Sequence, residues 1–195
     1  MSRKIILLFS FTIITLAHLF AATSHPNKIE SNYKIRRISP DGGLSINGQR
    51  DVRQDKWGFI WVTTVNNLYR FDGYTFRPYT DKINKTIPFA SLTFERLEID
   101  KKGDLYVTTS NGLLKYNSLT DNFDRLQSGR CTLIKEDMKG RLWIANPSSV
   151  GLFDRETFRF TAIESEAGDI PDVSGICTQH NKIYIGTATG KIYLY

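Results

Sequence analysis

Apolar and polar residues alternate with period two in short runs, and each run stops at a turn signal. Four runs centre on an aromatic: Ile60-Trp61-Val62, Leu105-Tyr106-Val107, Leu142-Trp143-Ile144 and Ile183-Tyr184-Ile185. The aromatics Trp61, Tyr106, Trp143 and Tyr184 stand 45, 37 and 41 residues apart. Each is preceded by a polar turn: Asp55-Lys56-Trp57-Gly58, Asp100-Lys101-Lys102-Gly103, Asp137-Met138-Lys139-Gly140, and a weaker fourth copy with Asn181 in the glycine place. The carboxylate of such a turn caps its amides, and Gly58, Gly103 and Gly140 supply the positive φ. Asn181 can visit that region at some cost.

One copy predicts four strands in an up-and-down meander. Inner strands are expected near 50–54, 94–99, 131–136 and 174–178, and second strands near 59–63, 104–108, 141–145 and 182–186. Third strands follow near 68–71, 113–116, 151–154 and 191–195, and outer strands near 75–79, 122–126 and 158–162. Asn66-Asn67 and Asn111-Gly112 predict type I′ hairpins. Repeats of this length with four strands each are propeller blades, so the expected fold is all-β, a β-propeller segment of four blades. The repeats lie near 46–80, 92–126, 131–162 and 174–195. The fourth lacks an outer strand, and 33–38 predicts a displaced one that would complete it in a closed ring.

The first residues follow a different pattern. Arg3 and Lys4 precede an uncharged run from Ile5 to Phe20, and the small residues Ala21 to Ser24 follow. Residues 1–24 therefore predict a cleaved signal peptide, and 25–195 an exported chain, periplasmic or secreted. Without Arg3 and Lys4, 24 basic face 20 acidic residues, a net +4. The basic residues are scattered, so no nucleic-acid partner is expected. Hydrophobic residues make up 41% and charged residues 24%, which excludes wholesale disorder.

Asp55 to Phe76 with its echoes resembles the two-component regulator propeller repeat, and Asp41-Gly42-Gly43-Leu44-Ser45-Ile46-Asn47 looks like the opening of those proteins. The resemblance implies the sensor region of a periplasmic hybrid histidine kinase, often one sensing oligosaccharides. It also implies more blades, a membrane helix and a kinase as partners; the membrane would be reached only through such further segments. Seven blades would need about 287 residues at this repeat length. The chain is therefore expected to open a longer sensor; a closed four-bladed ring acting as a free-standing secreted binding module is the alternative. A polysaccharide-acting enzyme is the third reading.

Chemical motifs are sparse. No metal-ligand spacing, phosphate loop or nucleophile elbow is present, so no cofactor, metal or catalytic residue is assigned. Glu95, Glu98, Glu136, Glu156, Glu164, Glu166 and Asp169 offer carboxylates, but no spacing singles out a glycosidase pair. The recurrence of Trp61, Tyr106, Trp143 and Tyr184 points to packing between blades rather than ligand stacking. Ligand contacts are expected where blades differ, on the loops at one end: Asn66, Asn111, Arg130 and Asn146, with the connections 80–92 and 163–173. Trp57 is expected at the opposite end. Cys131 and Cys177 sit five residues out of register, about 16 Å along a strand, too far to bridge. Two buried thiols are expected.

Overall fold

The computed structural model describes residue 38 and residues 48–86 and 92–195. The leader expected at 1–24, the segment 41–47 and, Ile38 apart, the strand expected at 33–38 lie outside the described residues.

Four antiparallel sheets follow one another as four blades. The first holds β1 (Gln49–Gln54), β2 (Ile60–Thr64), β3 (Leu68–Phe71) and β4 (Phe76–Pro78). The second holds β5 (Phe94–Ile99), β6 (Leu105–Thr109), β7 (Gly112–Asn117) and β8 (Asn122–Ser128). The third holds β9 (Leu133–Glu136), β10 (Leu142–Ala145), β11 (Val150–Phe153), β12 (Phe160–Ser165) and a short β13 (Gly168–Asp169). The fourth holds β14 (Val173–Gln179), β15 (Lys182–Thr187) and β16 (Ile192–Leu194). Strand order equals chain order in every sheet, because each strand folds back on its predecessor through a tight turn.

The recurring aspartate does two things at once. Asp55 Oδ1 accepts the amides of Trp57 and Phe59, both at 3.0 Å, and its Oδ2 accepts the indole Nε1–H of Trp61 at 2.7 Å. Asp137 repeats this with the amides of Lys139 and Arg141 at 2.9 Å and Trp143 Nε1 at 3.0 Å. Asp100 holds the amides of Lys102 and Asp104, and the Tyr106 hydroxyl lies at 3.4 Å from its Oδ2. One oxygen closes the turn and the other anchors the aromatic six residues on. Gly58, Gly103 and Gly140 have φ of 89°, 81° and 76°, and Asn181 takes 63° in the fourth copy.

Three of the four core clusters lie in the seams between blades, and the fourth, Val62, Tyr69, Phe71 and Phe76, lies on the other face of the first blade. Trp61, Leu97, Leu105 and Phe123 pack together between the first and second blades. Tyr106, Leu113, Ile134 and Phe153 fill the second seam, and Trp143, Val150, Ile183 and Ile185 the third. Trp61, Tyr106 and Trp143 are fully buried there, each contributing on the order of 3 kcal/mol of apolar transfer. Tyr184 is only half-buried. Polar links cross the seams as well: Asp51 Oδ2 accepts the Leu97 amide at 3.0 Å, and Glu98 Oε1 accepts the Glu136 amide at 3.0 Å.

Three expectations need correction. Neither Asn66-Asn67 nor Asn111 adopts the positive φ of a type I′ hairpin. Thr64 Oγ1 takes the Asn67 amide at 3.1 Å, and Thr109 Oγ1 takes that of Asn111 at 3.2 Å. The threonine hydroxyl ending each strand thus closes the turn without left-handed asparagines. The connection after β4 contains a short helix, α1 (Thr80–Thr86), which drives Ile83 into the first seam beside Tyr79. Cys131 is buried as expected, whereas Cys177 is exposed; both thiols are free. Cys177 pairs with Tyr184, on the face of the fourth sheet opposite the Ile183 and Ile185 side chains that fill the third seam.

Candidate functional site

Turns alternate between the two ends of an up-and-down sheet. The β2–β3, β6–β7 and β10–β11 turns share the loop end with the connections between blades. The Asp-x-x-Gly turns share the opposite, turn end with the β3–β4, β7–β8 and β11–β12 turns.

Backbone bonds tie the loop end into a belt. Phe94 N donates to Val65 O at 3.1 Å, Cys131 N to Thr109 O at 3.0 Å, and Asp172 N to Pro147 O at 3.1 Å. This belt sets Asn66, Asn111, Arg130 and Asn146 on the loop end of consecutive blades. Their surroundings differ. Asn66 is exposed and Asn111 is half-buried. Asn146 is engaged as a turn cap, its Oδ1 accepting the amides of Ser148 and Ser149 at 2.9 and 2.8 Å. Arg130 Nη2 lies 3.5 Å from Glu95 Oε1.

Sequence reasoning missed the partners of Arg130. Arg50 pairs with the same Glu95 carboxylate, and Arg96 Nη1 donates to the Arg50 carbonyl at 3.0 Å. Two guanidiniums thus meet one acid, and a third holds the backbone of Arg50. The signal was present: Arg50 and Glu95 hold the same place in the first two copies, eleven residues before Trp61 and Tyr106. Two more of the carboxylates weighed for glycosidase chemistry are also engaged. Lys135 Nζ meets Glu98 at 2.9 Å, and Arg155 Nη2 meets Glu136 at 2.9 Å.

Clefts open at the turn end. In the first seam Trp61 is covered by Tyr79 and Tyr116, with ring centroids at 5.0 Å. Asp121 accepts the hydroxyls of Tyr79 and Tyr116 at 2.6 and 2.8 Å and the Lys82 ammonium at 2.6 Å. Burial pushes the Asp121 carboxyl up, but those bonds outweigh it and hold it well below the usual carboxylate range. Burial, with the Asp121 bond, pushes the Tyr79 phenol far up. What remains beside this cluster is a cleft of about 170 Å³ flanked by Trp57, Phe59 and Arg70. Trp57 is exposed there, at the end expected for it.

The middle seam is emptier. A cleft of about 530 Å³ opens between the second and third blades over Tyr106; another, of about 540 Å³, lies round the edge of the third blade, where Arg141 and Leu152 face the fourth. Lys102, Arg155 and Glu156 line both. Lys115 Nζ bonds Asp104 at 2.7 Å and lies 5.7 Å from the Tyr106 ring centre. Burial draws the Lys115 ammonium down, but its bond to Asp104 wins and raises it. Arg155 Nη2 spans Glu136 and Asp100, the latter at 3.3 Å. Polar groups converging on a concave, partly apolar surface are the general form of a small-molecule site. Among the described residues no group of three or more His, Cys, Asp or Glu is placed to hold a metal, and no helix is long and apolar enough to cross a membrane.

No family model matches the chain. It is 36% identical over 69 residues to Histidine kinase P4 of Formosa agariphila, a match spanning 35% of this chain and 5% of the kinase. An extracellular domain assigned to a hybrid two-component system of B. thetaiotaomicron superposes with a TM-score of 0.71 at 24% identity, covering 83% of this chain and 25% of that one. A second extracellular domain from that organism, assigned to a one-component system, gives 0.69 at 17% identity, covering 83% and 23%. The chain thus spans a small fraction of the kinase and about a quarter of each extracellular domain. In fold it matches part of the extracellular domains of such signalling systems, and over 69 residues its sequence is similar to that of a histidine kinase.

Proposed function

We propose that this chain is the N-terminal, periplasmic ligand-sensing propeller segment of a hybrid two-component sensor whose ligand is an oligosaccharide. The observation that carries the reading is the fold match, at a TM-score of 0.71, to an extracellular domain assigned to a hybrid two-component system. The repeat pattern and the similarity to a histidine kinase agree with it. The segment transfers no phosphate itself. Its part is to bind, and further blades and a kinase in a longer protein complete the signal. Signalling requires that the ligand bind one state of the whole receptor more tightly than the other. Seams crossed by side-chain bonds such as Asp51 to Leu97 and Glu98 to Glu136 join neighbouring blades, so ligand contact with two blades is felt by both.

The test is made in the source bacterium. Removing codons 25–195 in frame abolishes the transcriptional response to the oligosaccharide that the intact receptor recognises. An unchanged response refutes the sensing role.

A further inference from the structure

The three seams share one plan, and the middle one departs from it. Trp61 is covered by Tyr79 and Tyr116, and Trp143 by Tyr195 with centroids at 4.9 Å. Among the described residues no aromatic ring stacks on Tyr106. Lys115 and Arg155 approach it instead, and the cleft of about 530 Å³ over it falls within the range of roughly 300–1,000 Å³ typical of small-molecule sites. The equivalent space in the first seam is about 170 Å³.

The lining selects a chemistry. Lys115 is answered by Asp104, and Arg155 by Asp100 and Glu136. That leaves Lys102 as an exposed cation and Glu156 and Asp124 as exposed anions on the walls, Asp124 accepting from the Asn117 amide at 3.0 Å; over the whole lining three cations, Lys102, Lys115 and Arg155, meet three carboxylates, Asp104, Asp124 and Glu156. Such a balance favours neither a polyanion nor a cation. It suits paired hydroxyls, which donate to carboxylates and accept from an ammonium. The shared wall also contains an unmet donor: Arg155 Nε is enclosed and has no hydrogen-bond partner.

The rim adds an aromatic. Phe158 is 52% exposed, and its backbone is held at φ 56°, a left-handed conformation costly for a bulky residue. Leu119, on the facing turn of the second blade, is 96% exposed. Asp121, at the equivalent turn position of the second blade, has φ 49°, so the turn sets this backbone; what is particular to the third blade is the exposed ring placed there, at the mouth of the cleft.

We infer that the middle seam binds a neutral hexose or pentose unit of an oligosaccharide, stacked on Phe158 and hydrogen-bonded by Lys102, Asp124 and Glu156. The inference rests on the oligosaccharide reading above and gives that ligand a place, at the turn end rather than among the loops.

The test is calorimetric titration of the chain with cellotetraose, mannotetraose, maltotetraose and xylotetraose, with tetragalacturonate as the charged comparison. Phe158→Gly relaxes the left-handed backbone while removing the ring, so it keeps the fold. It raises Kd about tenfold, equivalent to about 1.4 kcal/mol. Lys102→Met, at an exposed position, raises Kd about threefold. Tyr74→Ser, an aromatic deletion on a distant turn of the first blade, leaves Kd unchanged. Binding unaffected by both cleft variants but lost in Asn66→Ala or Arg130→Ala overturns the middle seam while leaving the oligosaccharide reading standing. Binding of tetragalacturonate alone overturns the neutral-sugar assignment. Failure of every saccharide to bind overturns both the site and the oligosaccharide reading.

Discussion

Replacing Asp137 by alanine removes one buried carboxylate and four hydrogen bonds. Its oxygens accept the amides of Lys139 and Arg141 at 2.9 Å, Arg141 Nε at 2.7 Å and Trp143 Nε1 at 3.0 Å. The Arg141 side chain is a third exposed, and the turn amides lie at the surface, so water replaces much of those three bonds. The indole N–H of Trp143 is fully buried and has no such recourse. Losing its charged acceptor costs about 2 kcal/mol and stranding the donor about 2 more, for a total of about 4 kcal/mol. That is a large part of the roughly 5–15 kcal/mol that holds a domain together. Asp137→Asn keeps an oxygen for the turn but points an amide N–H at the indole, and loses about 2–3 kcal/mol. Burial raises the Asp137 carboxyl, yet the Trp143 and Arg141 bonds prevail and hold it below its ordinary 3.8. A carboxyl lower in the folded than the unfolded chain stabilises above the unfolded value and loses that contribution as pH falls through the folded one. The gap between wild type and Asp137→Ala is therefore widest near neutrality and narrows below about pH 4. Urea unfolding followed by circular dichroism at pH 7 and near pH 2.5 measures both. A difference under about 1 kcal/mol at pH 7, or one that does not narrow in acid, refutes the role assigned to this carboxylate.

Asp121→Asn suits the local φ of 49° and isolates the loss of charge facing Lys82 and the two tyrosine hydroxyls. It costs about 2 kcal/mol at pH 7 in thermal unfolding, shrinking as pH falls below about 4; an unchanged melting temperature contradicts it. Gly151→Ala places a Cβ about 2.0 Å from the Thr161 carbonyl oxygen, so β12 is pushed off β11 and urea stability falls by about 2–3 kcal/mol. A neutral outcome would show that the β11–β12 pair relaxes freely. Maleimide labels exposed Cys177 in the native chain, whereas Cys131, buried and with its thiol pushed up to about 11, reacts only on unfolding. Equal native labelling of both contradicts the assignment.

Much of the blade was legible because its signals are local. Asp, Gly and an aromatic at fixed offsets define a turn and the strand after it, and they recur closely enough to be aligned by eye. The strands around Trp61, Tyr106 and Trp143 were therefore located to within a residue or two. The double use of each aspartate, turn cap and indole acceptor, was half visible: the cap is read from the turn, whereas the indole bond needs the strand folded back. Helix α1 was hidden because seven residues hold too few turns for a period of 3.6 to show, and its reason to form is burial of Ile83 beside Tyr79.

The candidate site was less legible than the fold. The loop-end residues were predicted from position in the repeat, and they do share one end. Yet Asn146 is consumed by its own turn, and the Glu95 cluster joins Arg50 to an acid 45 residues away. The cleft between the second and third blades arises from what is missing over Tyr106, a property of the seam and not of either blade.

The sequence by itself determined the repeat, the Asp-x-x-Gly turns and the strand order, because each follows from contacts within about sixteen residues. Only the tertiary structure decided which seam is filled and which is open, which cysteine is covered, and where charge gathers. Those depend on side chains from neighbouring blades meeting across distances that no local pattern records: Asp121 reaches Tyr79 from 42 residues away.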